Sequence, residues 1–213
     1  MATIYVYLLE MLADWELGYV TAELNSKRFF KKAAPPIVLK TVGASKEPIQ
    51  TMGGMTIMPD CLIEDIMVAE GNVLLLPGAD TWNDARHSAI IEKAHEFLKA
   101  NAIVGAICGA TAALANAGLL DQRQHTSNGP GFLEMVSPAY QGQHFYMDQP
   151  FVVNDNLITA SSTAALLWAK QIIEQLDIFH TNTLEAWYDY FNTGEAKYFY
   201  ALLETLPDSN PKN

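Results

Sequence analysis

Cys108 stands in Ile103-Val-Gly-Ala-Ile-Cys108-Gly-Ala-Thr-Ala-Ala-Leu-Ala, where a short apolar run stops on a cysteine and a small-residue helix begins at once. That is the layout of a nucleophile elbow: strand, sharp turn, helix. The turn lifts one side chain clear of the sheet on a strained backbone. The new helix would aim its free N–H groups and positive dipole end at the sulfur, favouring thiolate over thiol. Such a sulfur attacks carbonyl carbon or is oxidised, and both chemistries depend on what surrounds it.

Several residues are candidates for those surroundings. Glu16, in the first turn of the helix after the first strand, is either an ordinary solvated glutamate or a carboxyl group beside the sulfur. Beside the sulfur it would have to be protonated, because a carboxylate repels a thiolate. Gly78 and Ala79 follow a buried strand in Leu-Leu-Leu-Pro-Gly-Ala. They are either a simple strand-ending turn or one side of an oxyanion hole, with the N–H of Gly109 on the other. Trp15 and Trp82 could frame a pocket. A cysteine nucleophile wants a base within hydrogen-bond reach, and the sequence nominates His125. His87 and His95 belong to an amphipathic stretch and are expected at the surface. No histidine pair has metal-ligand spacing beside a cysteine or carboxylate, so neither a metal nor another cofactor is expected. Cys61, after Pro59-Asp60, reads as structural.

These residues need a scaffold. Ile4–Leu9 is a compact apolar run suited to a strand buried on both faces, Ile37–Val42 reads as a second strand, Asn72–Leu76 as a third, buried one, and Ile103–Ile107 as the strand that delivers Cys108. Helical spacing follows the first from Asp14, a candidate N-cap, and recurs over Asp84–Ala100. Thr111–Ala117 is the helix behind the elbow, closed by Gly118 in the left-handed region. Gly53–Pro59 reads as a hairpin arm or short connecting strand. Phe151–Ala160 is a hairpin turning at Asn154-Asp-Asn. Thr163–Leu176, Thr183–Phe191 and Glu195–Leu206 complete the helices, the last two rich in aromatics. Strands alternating with helices predict an α/β three-layer sandwich with a mostly parallel central sheet. One domain is expected over residues 1–213, with 179–206 as a C-terminal helical addition.

With 213 residues, half of them apolar, the chain can build a sizeable core without staples. A net charge of −11 argues against nucleic acid and anionic membrane as partners. No apolar run of membrane-spanning length and no leader pattern is read, and two cysteines make no disulfide framework. A reducing cytoplasm is the expected location.

In combination, Glu16 after the first strand, Leu-Leu-Leu-Pro-Gly, Ala-Ile-Cys108-Gly-Ala, Gly118-Leu-Leu and the late Asn-Asp-Asn-Leu-Ile-Thr-Ala resemble the ThiJ/PfpI superfamily over residues 2–177. The resemblance implies a flavodoxin-like sandwich, shared with class I glutamine amidotransferases. It implies a reactive cysteine at Cys108, a glutamate hydrogen-bonded to its sulfur at Glu16, and a facing glycine-rich turn at Gly78 and Ala79. A homodimer is also implied, with Trp187–Tyr200 a candidate interface or intrachain core. The departures from the family pattern are specific. The position that holds a histidine in many members falls on Asn128, and the residue after the cysteine is Gly109 where PfpI-like proteases carry histidine. Ala160-Ser-Ser-Thr-Ala replaces a Gly-Pro-Gly-Thr segment, and no amidotransferase His-x-Glu is present. The implied activities are amide or peptide hydrolysis and addition of water to reactive carbonyls such as methylglyoxal. Asn128 or His125 would position water or carry a proton. The alternatives are an oxidant-sensing protein and a small-molecule binding module built on the same cysteine.

Overall fold

The computed structural model describes residues 1–206. In chain order the strands are β1 Ala2–Tyr7, β2 Ile37–Gly43, β3 Ile49–Gln50, β4 Thr56–Ile57, β5 Cys61–Leu62, β6 Val73–Leu76, β7 Ile103–Ile107, β8 Phe151–Asn154 and β9 Leu157–Ala160. The α-helices are α1 Asp14–Ser26, α2 Ser88–Lys99, α3 Gly109–Asn116, α4 Phe132–Val136, α5 Ala165–Gln175, α6 Thr181–Thr193 and α7 Ala196–Glu204. Seven strands form one sheet in the order β5-β2-β1-β6-β7-β9-β8, parallel except for the β8–β9 hairpin. Strands β3 and β4 pair separately as a small antiparallel arm.

The continuous apolar runs become the central strands because helices cover both faces. Every residue of Val73–Leu76 is buried. On one face Phe97 of α2 meets Tyr5 edge-on. On the other, α1 and α5 pack together, and Trp168 of α5 lies so close to β7 that a Cβ on Gly105 would come within 3.0 Å of both its ring and Leu75. A glycine in mid-strand is the condition for that approach. The result is a three-layer α/β sandwich.

Register positions the elbow. Leu76 pairs with Ala106 and Ile107 with Ala160. Continuing the first pairing by two residues sets Gly78 beside Cys108, with the end of β9 on the other flank. Among the main parallel strands β1, β2, β6, β7 and β9, the spatial order is second, first, third, fourth, fifth, which is flavodoxin-like.

Several boundaries differ from the sequence reading. Helix α1 is capped by Ala13, and Asp14 is its first residue; the Asp14 carboxylate instead accepts the N–H of Gly53 at 2.6 Å, holding the β3–β4 arm. The stretch from Asp84 opens as a 3-10 turn over Ala85–His87 before α2 begins, with the Asp84 side chain accepting from the Arg86 N–H. Trp187 is completely buried within the chain. Its indole N–H donates to Glu23 of α1 at 3.0 Å, and Arg28 also holds that carboxylate. The exposed aromatics of the C-terminal helices are Phe199 and Tyr200 of α7 and, in part, Phe191.

Candidate active site

The elbow forms as its sequence requires. Cys108 has φ 57° and ψ −126°, a backbone conformation that costs a non-glycine residue about 1–3 kcal/mol and persists only where its surroundings enforce it. They do so at several points. The Cys108 N–H donates to the Ala160 carbonyl at 3.0 Å, fixing the turn to β9. The Thr111 hydroxyl donates to the Cys108 carbonyl at 2.6 Å and also meets the Ser127 hydroxyl at 2.6 Å. A hydroxyl three residues beyond a turn is a readable back-bonding signal. Ser127 arrives only through tertiary folding, so no local pattern announces it.

Glu16 lies in the site and not in solvent. Its side chain is fully buried, and one carboxyl oxygen accepts the Gly78 N–H at 2.5 Å. A Cβ on Gly78 would sit 2.7 Å from Cys108 Cβ and 2.8 Å from each Glu16 carboxyl oxygen. Gly78 is therefore the spacer that lets carboxyl and thiol share one cavity. Burial pushes Glu16 up to about 7, against the Gly78 N–H and the neighbouring Cys108 thiol, which lower it. The expected thiolate preference at Cys108 is not what the surroundings produce. Burial pushes the thiol up and the Glu16 carboxylate pushes it further, while the Asn128 amide and the Gly109 N–H pull it down. The two acids form a coupled pair in which a proton held on Glu16 removes the repulsion on the sulfur.

Asn128 occupies the next flank. Its Nδ2 donates to Cys108 Sγ at 3.3 Å, and its Oδ1 accepts the Ser162 N–H at 2.9 Å. The second bond fixes which end of the amide faces the sulfur. Asn128 is thus a donor to negative charge and not a proton acceptor.

His125 is engaged elsewhere. Its Nδ1 meets the Arg123 carbonyl at 2.6 Å and its Nε2 the Tyr140 hydroxyl at 2.6 Å. It is fully buried against Tyr140 and Tyr146, and burial lowers its pKa. With both nitrogens occupied it has none for the thiol, and the nomination of His125 as base is corrected. His95 is exposed, but His87 is buried, contrary to expectation.

The oxyanion donors separate likewise. The Gly78 N–H is already taken by Glu16. The Ala79 N–H remains, and the Gly109 N–H is directed at the Cys108 sulfur; Ala79 N lies 3.5 Å from where a Gly109 Cβ would be. Trp82 is buried beneath this turn, its indole N–H donating to the Pro77 carbonyl at 2.8 Å. Trp15, at 54 % exposure, lines a different shallow hollow with Asp14, Met52, Gly53 and Met55. The two tryptophans frame no common pocket. Cys61, on the sheet edge, is half-buried and donates to the Thr41 carbonyl at 3.6 Å. Among the described residues, no group of three or more His, Cys, Asp or Glu could hold a metal, and no helix is long and apolar enough to cross a membrane.

Comparison with known proteins places this architecture. The model of the DJ-1/PfpI family matches residues 2–175. The chain is 41 % identical to the Bacillus subtilis (strain 168) protein named "Uncharacterized protease YoaZ", covering 95 % of this chain and 97 % of that one. A solved thiJ/pfpI family protein from Bacillus anthracis is 42 % identical, with TM-score 0.94, covering 98 % of this chain and 99 % of that one. The DJ-1 superfamily protein Atu0886 from Agrobacterium tumefaciens is 26 % identical, with TM-score 0.79, over 91 % and 99 % of the two chains. The chain therefore belongs to the DJ-1/PfpI family.

Proposed function

We propose that Cys108 is the nucleophile of a hydrolase-type reaction on a small carbonyl or amide substrate. The observation that carries this reading is the strained elbow, which presents the sulfur to one proton carrier and to fixed donors. In the first step Cys108 Sγ bonds to the carbonyl carbon, its proton passes to Glu16, and the C=O π pair moves to oxygen. The Ala79 and Gly109 N–H groups receive that oxyanion. For an amide, Glu16 returns the proton to the leaving nitrogen as the C–N bond breaks. It then takes a proton from the water that attacks the thioester and returns it to sulfur as the C–S bond breaks. For a 2-oxoaldehyde, Glu16 gives its proton to the oxyanion, then carries the proton of that carbon to the neighbouring carbon through an enediol, leaving a thioester that water hydrolyses in the same way, so one carrier serves both substrates. A relative named a protease supports acyl-transfer chemistry in this broad sense. Cys108→Ser is expected to abolish turnover of methylglyoxal and of model p-nitroanilide amides; unchanged rates with both would end the catalytic reading.

A second reading, oxidant sensing, is favoured by the Glu16 carboxyl oxygen that has no hydrogen-bond partner. Two peroxide molecules would convert the thiol to a sulfinic acid, each giving up one oxygen and leaving as water. A protonated Glu16 would then donate to the sulfinate. Mild peroxide should add two oxygens to Cys108 before any to Cys61, read by peptide mass spectrometry; equal modification of both counts against it.

A further inference from the structure

Asn128 is the one asparagine of the chain that is followed by glycine. The pair lies at the surface beside the elbow, with Asn128 exposed and the chain bending on through Pro130 to Gly131. An asparagine side chain is open to attack by the backbone nitrogen of the next residue. A glycine there leaves that nitrogen unshielded, because it carries no Cβ. Three features of this segment favour the attack. Gly129 has φ 140°, a conformation open to glycine, and a Cβ placed on it would meet nothing within 4 Å. Its N–H donates to no backbone carbonyl among the described residues. The Asn128 Oδ1 accepts the Ser162 N–H at 2.9 Å, where a fixed donor stabilises the negative charge that attack builds on that oxygen.

The same amide belongs to the surroundings of the thiol. Its Nδ2 donates to Cys108 Sγ at 3.3 Å and helps pull the thiol pKa down. The nitrogen that touches the sulfur is therefore the one that attack by Gly129 would expel.

We propose that Asn128 is a deamidation site, and that its conversion to a carboxylate silences Cys108 as the protein ages. The Gly129 nitrogen bonds to Asn128 Cγ and gives up its proton. The Cγ–Nδ2 bond breaks, and the amide nitrogen leaves with that proton as ammonia. Water then opens the cyclic imide at one of its two carbonyls, giving aspartate or isoaspartate. No oxidant or reductant takes part. The sulfur loses a donor and gains a negative neighbour beside Glu16, and like charge disfavours the thiolate. The consequence for turnover rests on the nucleophile reading above; the deamidation and its effect on the sulfur do not.

Ageing the full chain at pH 8 in heavy-oxygen water, with a phosphine present to keep the thiols reduced, tests the proposal by peptide mass spectrometry. Asn128 is expected to take up one heavy oxygen ahead of Asn25 and Asn192, which precede serine and threonine. Iodoacetamide should then alkylate Cys108 about tenfold more slowly in the aged chain than in the fresh one, equivalent to about one pKa unit. Asn128→Asp should show the slow rate without ageing. Asn128→Ser, which removes the amide and adds no charge, should fall between it and wild type. An Asn128 that stays intact in the folded chain while it is converted in the urea-unfolded chain overturns the proposal. So does a deamidated chain alkylated at the fresh rate, a measurement that stands even if Asn128→Asp fails to fold. Slowed alkylation alongside turnover that Cys108→Ser leaves unchanged would end the nucleophile reading alone.

Discussion

Glu16 is where charge, burial and chemistry meet in one side chain. Its folded pKa is raised to about 7 by burial, so the stability it favours is present in full below its unfolded value and is lost as pH rises through about 7. A shift of this size corresponds to about 3 kcal/mol. Glu16→Gln should remove that decline, and urea unfolding between pH 4 and 8 would show a flatter stability profile than wild type. The same substitution removes the carboxylate that pushes the Cys108 thiol up. Iodoacetamide should therefore alkylate Cys108 faster at pH 8, while on the proposed mechanism turnover falls by about 100-fold or more, Glu16 being its proton carrier. Slower alkylation would mean that Glu16 acts mainly as a donor to the thiolate. The position of Cys108 was legible because the whole strand-turn-helix unit is local. The role of Glu16 was legible only through the family resemblance, since a first-turn glutamate reads the same whether solvated or buried. His125 misled because sequence proximity to the elbow carries no information about which way a ring faces, and here Tyr140 and the Arg123 carbonyl hold it elsewhere.

Between neighbouring elements, the turn after β6 decides how closely carboxyl and thiol approach. Gly78 serves it by size rather than by unusual backbone angles, for its φ is not positive. Gly78→Ala should cost roughly 1–3 kcal/mol by overpacking, measured by denaturant unfolding, and should displace Glu16 from the Gly78 N–H. Stability equal to wild type would show that Glu16 moves aside without loss. The central strands β6 and β7 were readable because each is an unbroken apolar run. Helix starts were less so: Asp14 has the residue type of a cap but spends its carboxylate on Gly53 of the β3–β4 arm. Thirty-nine positions separate that pair, and propensity does not see such a competitor. His87 was misplaced for a related reason. The 3-10 turn before α2 rotates it off the exposed face and onto Tyr7 and Trp82.

For the molecule as a whole, the C-terminal helices are tied to the sandwich through Glu23. Glu23→Ala would leave the buried Trp187 N–H without its acceptor, at a cost of about 1–3 kcal/mol. Arg28, half-exposed, can return to water. A lowered midpoint of thermal unfolding checks this; an unchanged midpoint would mean that the aromatic packing of Trp187 against Tyr19, Phe179 and Phe191 suffices alone. The aromatic richness of residues 187–200 was visible in the sequence, but not its division between a buried Trp187 and an exposed Tyr200, because that depends on a carboxylate far away in the chain. Glu23 also follows Glu16 by two turns of α1, and a heptad step on a straight helix returns to within about 20° of the same direction. The indole of Trp187 therefore acts as a key in a shaft: by fixing the rotation of α1 at its far end, it fixes the bearing of the carboxyl group that faces the thiol. Damage to the C-terminal helices would reach the Cys108 sulfur as a change in its titration, without any of the residues around it being touched.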